Sequence, residues 1–256
     1  MNHPYWVAFS SILYKEVRRF TRIWMQTLLP PGITMLLYFI IFGNLIGRRI
    51  GDMEGFNYME FIVPGLIMMS VITNSYGNVS SSFFSNKFQK SIEELMVAPV
   101  PNWVIMMGFV LGGVARGLAC GLIVTLLSLW FVELQVHNLF VTITVILLTA
   151  VVFSTAGLIN AIYATKFDDV TIVPTFILTP LTYLGGVFYS VSLLPEFWQW
   201  VSKLNPILYM VNTFRFGIIG YSDIPVLAAY GMLLLFMGLL MSWALYLLHV
   251  GRGLRS

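Results

Sequence analysis

Apolar residues fill this chain in long blocks, and the first block differs from the rest. Between Pro4 and Trp24, Trp6, Phe9, Leu13, Val17, Phe20 and Trp24 recur at steps of three and four, while Lys15, Arg18, Arg19 and Arg22 repeat the same step on another face. The spacing predicts an amphipathic helix over residues 4–24 that lies on a bilayer with its Trp and Phe side chains at the interface. Its basic cluster follows the aromatic residues, the reverse of a signal peptide, so the N-terminus is expected to be retained and cytosolic. Six later blocks have the roughly 20 residues needed to cross a hydrocarbon core of about 30 Å. They run approximately Leu28 to Ile46, Phe61 to Phe84, Val104 to Phe131, Leu139 to Ala164, Val170 to Val191 and Ile224 to Val250.

Several blocks are irregular. Pro30, Pro31 and Gly32 open the first, and Pro64 with Gly65 stands near the outer end of the second; backbone groups freed by such residues must find partners in neighbouring helices. The second block carries Thr73, Asn74, Ser75, Asn78, Ser80, Ser81 and Ser82, which suits either a polar translocation lining or a hydrogen-bonded helix contact. In the third, Gly113, Gly117 and Gly121 follow Gly108 and Gly112 at steps of four, a pattern for close helix approach within the chain or at a dimer seam. Arg116 is the one cation well inside a block, a costly placement that points to function, to snorkelling or to a carbonyl partner. Pro174 and Pro180 interrupt the fifth block, and Gly185 and Gly186 come near its outer end. Residues 192–206 then combine Pro195 and Glu196 with Phe197, Trp198, Trp200, Val201 and Leu204, which predicts a short outer interfacial or re-entrant helix.

The one long charged interruption is Asn86 to Pro101. Ser91 and Glu94 have capping-box spacing, and Pro99 and Pro101 end what they start, so a helix of about two turns is expected over Ser91 to Val97. Glu93 and Glu94 open it, and Leu95, Met96 and Val97 give it an apolar edge. It reads as a handle for a partner or as a solvated loop that fixes topology.

Composition and charge sharpen the picture. With 58% hydrophobic residues, 10% charged and a mean hydropathy of +0.85, the 256 residues form an all-α polytopic membrane protein, a single transmembrane domain over 1–256. The net charge of +3 follows loop sidedness and argues for lipid headgroups over nucleic acid. With the N-terminus inside, the inner side holds Lys15, Arg18, Arg19, Arg22, Lys87, Lys90, Lys166, Arg252 and Arg255. The outer side holds Arg48, Arg49, Lys203 and Arg215, so both termini are expected in the cytosol. The one cysteine, Cys120, sits in an apolar block and is expected to be buried as a small hydrophobe. The sequence has no G-x-x-x-x-G-K-[ST] loop, no metal-ligand spacing among His3, His137 and His249, and no arrangement suited to nucleophilic catalysis, so this chain is expected not to be an enzyme and to bind no cofactor. An ATP-driven exporter permease, a secondary transporter and a membrane scaffold or enzyme remain; mid-span acids for a proton relay are missing, which weighs against the second.

The residues resemble the permease subunits of ABC-2 type exporters. The likeness lies in IEELMVAPVP after the second block, in the run from Thr179 and Pro180 through Gly185, Gly186, Val187 and Phe188, and in Leu194-Pro195, Asn205-Pro206 and Arg215. Tyr189-Ser190 departs from the proline that often follows the outer glycine and phenylalanine in that family. The resemblance implies a half-transporter in a bacterial inner membrane, two permease chains with two separate ATPases that bind ATP and Mg, and docking of the ATPase on the helix Ser91 to Val97 within the coupling segment 86–101. Asn74, Asn78, Arg116, Gly185 and Gly186 are then expected to line a path or pack helices.

Overall fold

The computed structural model describes residues 4–251 and 253; His3, Arg252 and Arg255 lie outside the described residues. The chain begins with α1 (Pro4–Arg22), α2 (Trp24–Thr27) and α3 (Leu29–Tyr38), which continues as a π-helical stretch, Phe39–Ile46, into α4 (Gly47–Ile50). Ile23 and Leu28 break the helix at φ −113°, ψ 38° and φ −107°, ψ −34°, and Pro30 and Pro31 lie in the first turn beyond. A two-residue hairpin follows, β1 (Asp52–Met53) antiparallel to β2 (Phe56–Asn57), turned by Glu54 and Gly55 at positive φ.

The central element is α5 (Tyr58–Phe88). Asn57 and Glu60 form a capping box at its start, so Pro64 falls inside the helix and not at its mouth. Nearly every face of α5 is buried, because α7 (Asn102–Ser128) and α8 (Leu139–Tyr163) pack along it, and α6 (Ser91–Val97) joins it to α7. The glycine steps of α7 divide between two faces. Gly108 and Gly112 receive Ile12 and Glu16 of α1; Gly113, Gly117 and Gly121 receive Val79, Ser75 and Val71 of α5. The ladder is therefore an intramolecular contact. Apolar side chains form two clusters, one at the hairpin end of α5 around Phe61, Ile62, Leu66 and Met210 and one at its α6 end, the inner cluster, around Phe83, Ile105, Phe109 and Leu158.

The fifth block differs from expectation. Its helix runs from α9 (Phe167–Val173) through a π-turn, Pro174–Leu178, to α10 (Thr179–Leu184), and stops at Gly185 instead of reaching Val191. Gly186 takes φ +70°, which only glycine adopts freely, and turns the chain back. The short aromatic helix expected after the fifth block is α11 (Glu196–Lys203), largely exposed, and a buried helix absent from the sequence expectation, α12 (Pro206–Ile219), follows it with Asn205 capping Ile207 N. α13 (Val226–Val250) lies against α8 through Ala229, Leu233, Ala244 and Leu247. Among the described residues, five helical stretches, Trp24–Gly43, α5, α7, α8 and α13, are long and apolar enough to cross a membrane.

Candidate functional site

Four polar residues of α5 hold other helices, whereas Thr73, Ser80 and Ser81 donate to carbonyls of α5 itself. Asn74, Asn78, Ser82 and Asn86 repeat every four residues and so share one face. Arg116 Nη2 donates to Asn74 Oδ1 at 3.4 Å and to Thr27 O at 3.4 Å. Arg19 Nη2 donates to Asn78 Oδ1 at 2.8 Å, Ser82 Oγ donates to Glu16 Oε1 at 2.7 Å, and Lys15 Nζ donates to Asn86 Oδ1 at 2.7 Å. The structure contains a hydrogen-bonded helix contact along this face, in which Arg116 finds a carbonyl and an amide.

The basic residues of α1 divide between two roles: Lys15 and Arg19 turn onto α5, while Arg18 and Arg22 are exposed, as is Trp6. The reason is Glu16, which the sequence reading overlooked. It is fully buried beside Gly112, with Arg19 Nη2 at 3.5 Å, and a buried carboxylate holds its cation and its hydroxyl donor close. Burial pushes the Glu16 carboxyl up from its ordinary pKa, against the pull of Arg19, Ser82 and Lys15. A glycine on α7 facing an acidic residue on the helical period of α1 was the available signal.

Asn86 links this seam to α6. Ser91 Oγ donates to Asn86 O at 3.0 Å and to Asn86 Oδ1 at 3.1 Å, while Asn86 Nδ2 donates to Ser82 O at 2.8 Å. The expected capping box at Ser91 and Glu94 is therefore not formed. The N-cap is Lys90, held at φ 60°, and Ser91 is the first helical residue, its hydroxyl drawn back to α5. The apolar edge also points elsewhere than expected. Ile92, Leu95 and Met96, one face at steps of three and four, pack into the inner cluster with Ile12, Phe83 and Phe109, while Val97 is 86% exposed and Glu94 is exposed. A cleft of about 340 Å³ between α1 and α6 is lined by Ser11, Lys15, Ser91, Glu94 and Leu95 among others. Lys87 fixes the other flank, since its Nζ donates to Ile162 O and Ala164 O, both at 2.7 Å, at the end of α8. A seven-residue helix is thereby tied to α5 through Ser91 and seated on the inner cluster through Ile92, Leu95 and Met96.

At the opposite end, Arg215, expected in an outer loop, is fully buried in α12. Its Nε donates to Phe61 O at 3.1 Å and its Nη2 to Gly186 O at 2.7 Å, with the guanidinium 3.9 Å from the Phe61 ring centroid. Gly185 and Gly186 thus serve packing: a side chain at Gly185 would meet Ile207 Cγ2 at 2.7 Å. Asp223 organises the rest of this end, accepting from Ser190, Tyr221 and Val191 N. Among the described residues no cluster of three or more His, Cys, Asp or Glu suits a metal ion.

The model of the ABC-2 type transporter matches residues 7–219, most of the chain. The chain belongs to the ABC-2 type transporter family. It is 62% identical over 259 aligned residues to the inner membrane transport permease YadH of Escherichia coli strain K12, covering 100% of each chain. Nodulation protein J of Rhizobium meliloti strain 1021 is 22% identical over 181 residues, 70% of this chain and 69% of that one. The match to the ABC-2 family takes in both the α6 clamp and the Arg215 turn, whereas α13 lies beyond it.

Proposed function

We propose that this chain is the membrane-spanning subunit of an ABC-2 exporter in a bacterial inner membrane, driven by ATP hydrolysis on a separate ATPase that binds ATP and Mg. In this reading the broken helix Phe167–Leu184 is the sixth span, both termini are cytosolic, and α11 with α12 forms an outer re-entrant pair. The observation that carries the proposal is the clamped α6: its inner face is fixed on α5 and the inner cluster while Glu94 and Val97 stay accessible on the other. A rigid short helix transmits a push that a loose loop absorbs. The cargo of this reading is amphipathic. Copurification of an ATPase whose hydrolysis this permease couples to efflux is the deciding experiment; a chain that exports without any ATPase overturns the proposal.

Topology gives a separate expected result. In a Cys120→Ser background, Gln89→Cys and Lys166→Cys should be shielded from an impermeant thiol reagent in intact cells, and Gln135→Cys and Lys203→Cys should react. All four positions are exposed on the protein, so burial does not confuse the readout. Labelling of Gln89→Cys from outside contradicts the proposed sidedness.

The assembly is expected to be two permeases with two ATPases. The first span presents Ile33, Leu37, Ile40 and Leu45 outward, and the broken helix presents Ile172, Phe176, Ile177 and Tyr183, surfaces available for a second copy. Native mass measurement of the extracted complex should give the two-plus-two mass. An active complex with one permease would contradict it.

A further inference from the structure

Arg116 is weakly held where it stands. Its Nη2 bonds to Thr27 O and Asn74 Oδ1 are both 3.4 Å long, and its buried Nε makes none. Arg19 Nε is likewise buried and unpaired. Glu16 is the one carboxylate of this seam among the described residues, and Arg19 already lies 3.5 Å from it. A cation held this way in a membrane protein is costly, and the excess of cations here calls for an anion. The depth of Arg116 follows from the first span, which starts at Trp24 and whose 20 residues are just enough to cross. Trp24 therefore marks the edge of the hydrocarbon. Thr27, the carbonyl partner of Arg116, is less than one turn beyond it, so the guanidinium is within reach of lipid headgroups. Arg18 and Arg22 are exposed just before that edge.

From the same level an apolar groove of about 370 Å³ runs into the hydrocarbon. Trp24, Leu28, Gly32 and Leu36 wall it on the first span, and Ile123 and Leu127 wall it on α7. Ile123 follows Arg116 by two turns on one face of α7, so the cation stands at the mouth of the groove. Gly32 helps to keep it open, since a Cβ there would already lie 3.4 Å from Ile123 Cγ2 and 3.6 Å from Leu127 Cδ1. We infer that groove and cation together bind one anionic phospholipid, with its phosphate on Arg116, its headgroup in the field of Arg18 and Arg22, and one acyl chain between α7 and the first span. Arginine pairs with phosphate through charge-assisted bonds, and basic pockets between spans take lipid headgroups. An apolar wall at this depth accepts only hydrocarbon, and the surplus of cations selects a lipid with net negative charge. The lipid comes from the leaflet on the α1 side, the inner one in the topology proposed above. The site itself rests on this chain alone, and its test needs neither an ATPase nor a sidedness.

Native mass spectrometry of the full chain, stripped of lipid in detergent, tests this with phosphatidylglycerol and phosphatidylethanolamine of identical acyl chains. One phosphatidylglycerol should bind per chain, at least about fivefold more tightly than phosphatidylethanolamine, the ratio expected when one cation meets the extra charge. Arg116→Gln should remove that preference, and Arg116→Lys should keep it. Gly32→Leu should weaken both lipids, because its side chain enters the groove. Equal affinity of the parent chain for the two lipids overturns the site, a comparison that decides even where a variant does not fold. A preference that survives Arg116→Gln, or binding unaffected by Gly32→Leu, overturns it as well. Displacement of phosphatidylglycerol by an equal concentration of inorganic phosphate would leave an anion site without a lipid. A dimer that takes up no lipid would mean that a second copy fills the groove, which also refutes the assignment.

Discussion

Valine at Gly157 or at Gly117 is expected to be the most damaging single change in this protein. A side chain on Gly157 would run into Tyr76 O, with Ser80 N at 3.3 Å, and both are backbone atoms in the middle of α5. At Gly117 the obstacles are Ser75 Oγ and, at 3.1 Å, Val71 O. Overpacking a well-filled interior costs about 1–3 kcal/mol when neighbours can shift, and a helix buried on nearly every face cannot shift without breaking contacts elsewhere, so the upper end or more is expected. The readout is a marked fall in melting temperature and in monodisperse protein after extraction. Gly238→Ala is the control, since nothing lies within 4 Å of that position and alanine favours a helix interior by about 0.5–1 kcal/mol. Equal behaviour of Gly157→Val and Gly238→Ala would mean that α5 and α8 are not packed as described.

The same glycines show why part of the architecture was legible in sequence. Steps of four announce that something approaches closely, but not what, and only the partners Ile12, Glu16, Ser75 and Val79 separate the two faces of α7. Spans were legible because hydrocarbon demands long apolar runs; α5, α7, α8 and α13 follow the expected blocks within a few residues. α12 was not, because Asn205-Pro206 reads equally as the end of α11 and as the start of a new helix, and a buried Arg215 resembles a loop charge until its carbonyl acceptors are known. Glu16 was hidden by the basic residues around it. The helix Ser91–Val97 was found with its correct bounds for a partly wrong reason, since Pro99 and Pro101 do limit it but Ser91 bonds Asn86 and not the first turn. Its inward face was misread because Val97 was grouped with Leu95 and Met96, although one residue step turns a helix by about 100° and carries Val97 away from them.

That rotation decides the expected effect of altering α6. Changing Glu94 to alanine and Val97 to serine together touches only exposed positions, so the melting temperature should stay within measurement of the parent. Loss of the first-turn charge weakens the helix N-terminus by about 0.3–1 kcal/mol. With the exposed apolar contact also lost, association with the ATPase should fall about tenfold, the equivalent of 1.4 kcal/mol. Ile92→Ser acts differently. It removes a fully buried side chain from the inner cluster at a cost of about 1.5–3 kcal/mol, loosening α6 from its bed. The ATPase should then still bind, because Glu94 and Val97 remain, but hydrolysis should no longer drive export, because a helix that yields cannot transmit force. Binding lost with coupling intact per bound ATPase in one variant, and coupling lost with binding intact in the other, is the signature of a rigid handle. Glu133→Ala, at an exposed position far along the chain from α6 and on the other side in the proposed topology, should change neither. Normal association and export in both α6 variants would reduce this helix to a topological loop, since the two faces of α6 then contribute nothing that the spans do not already supply.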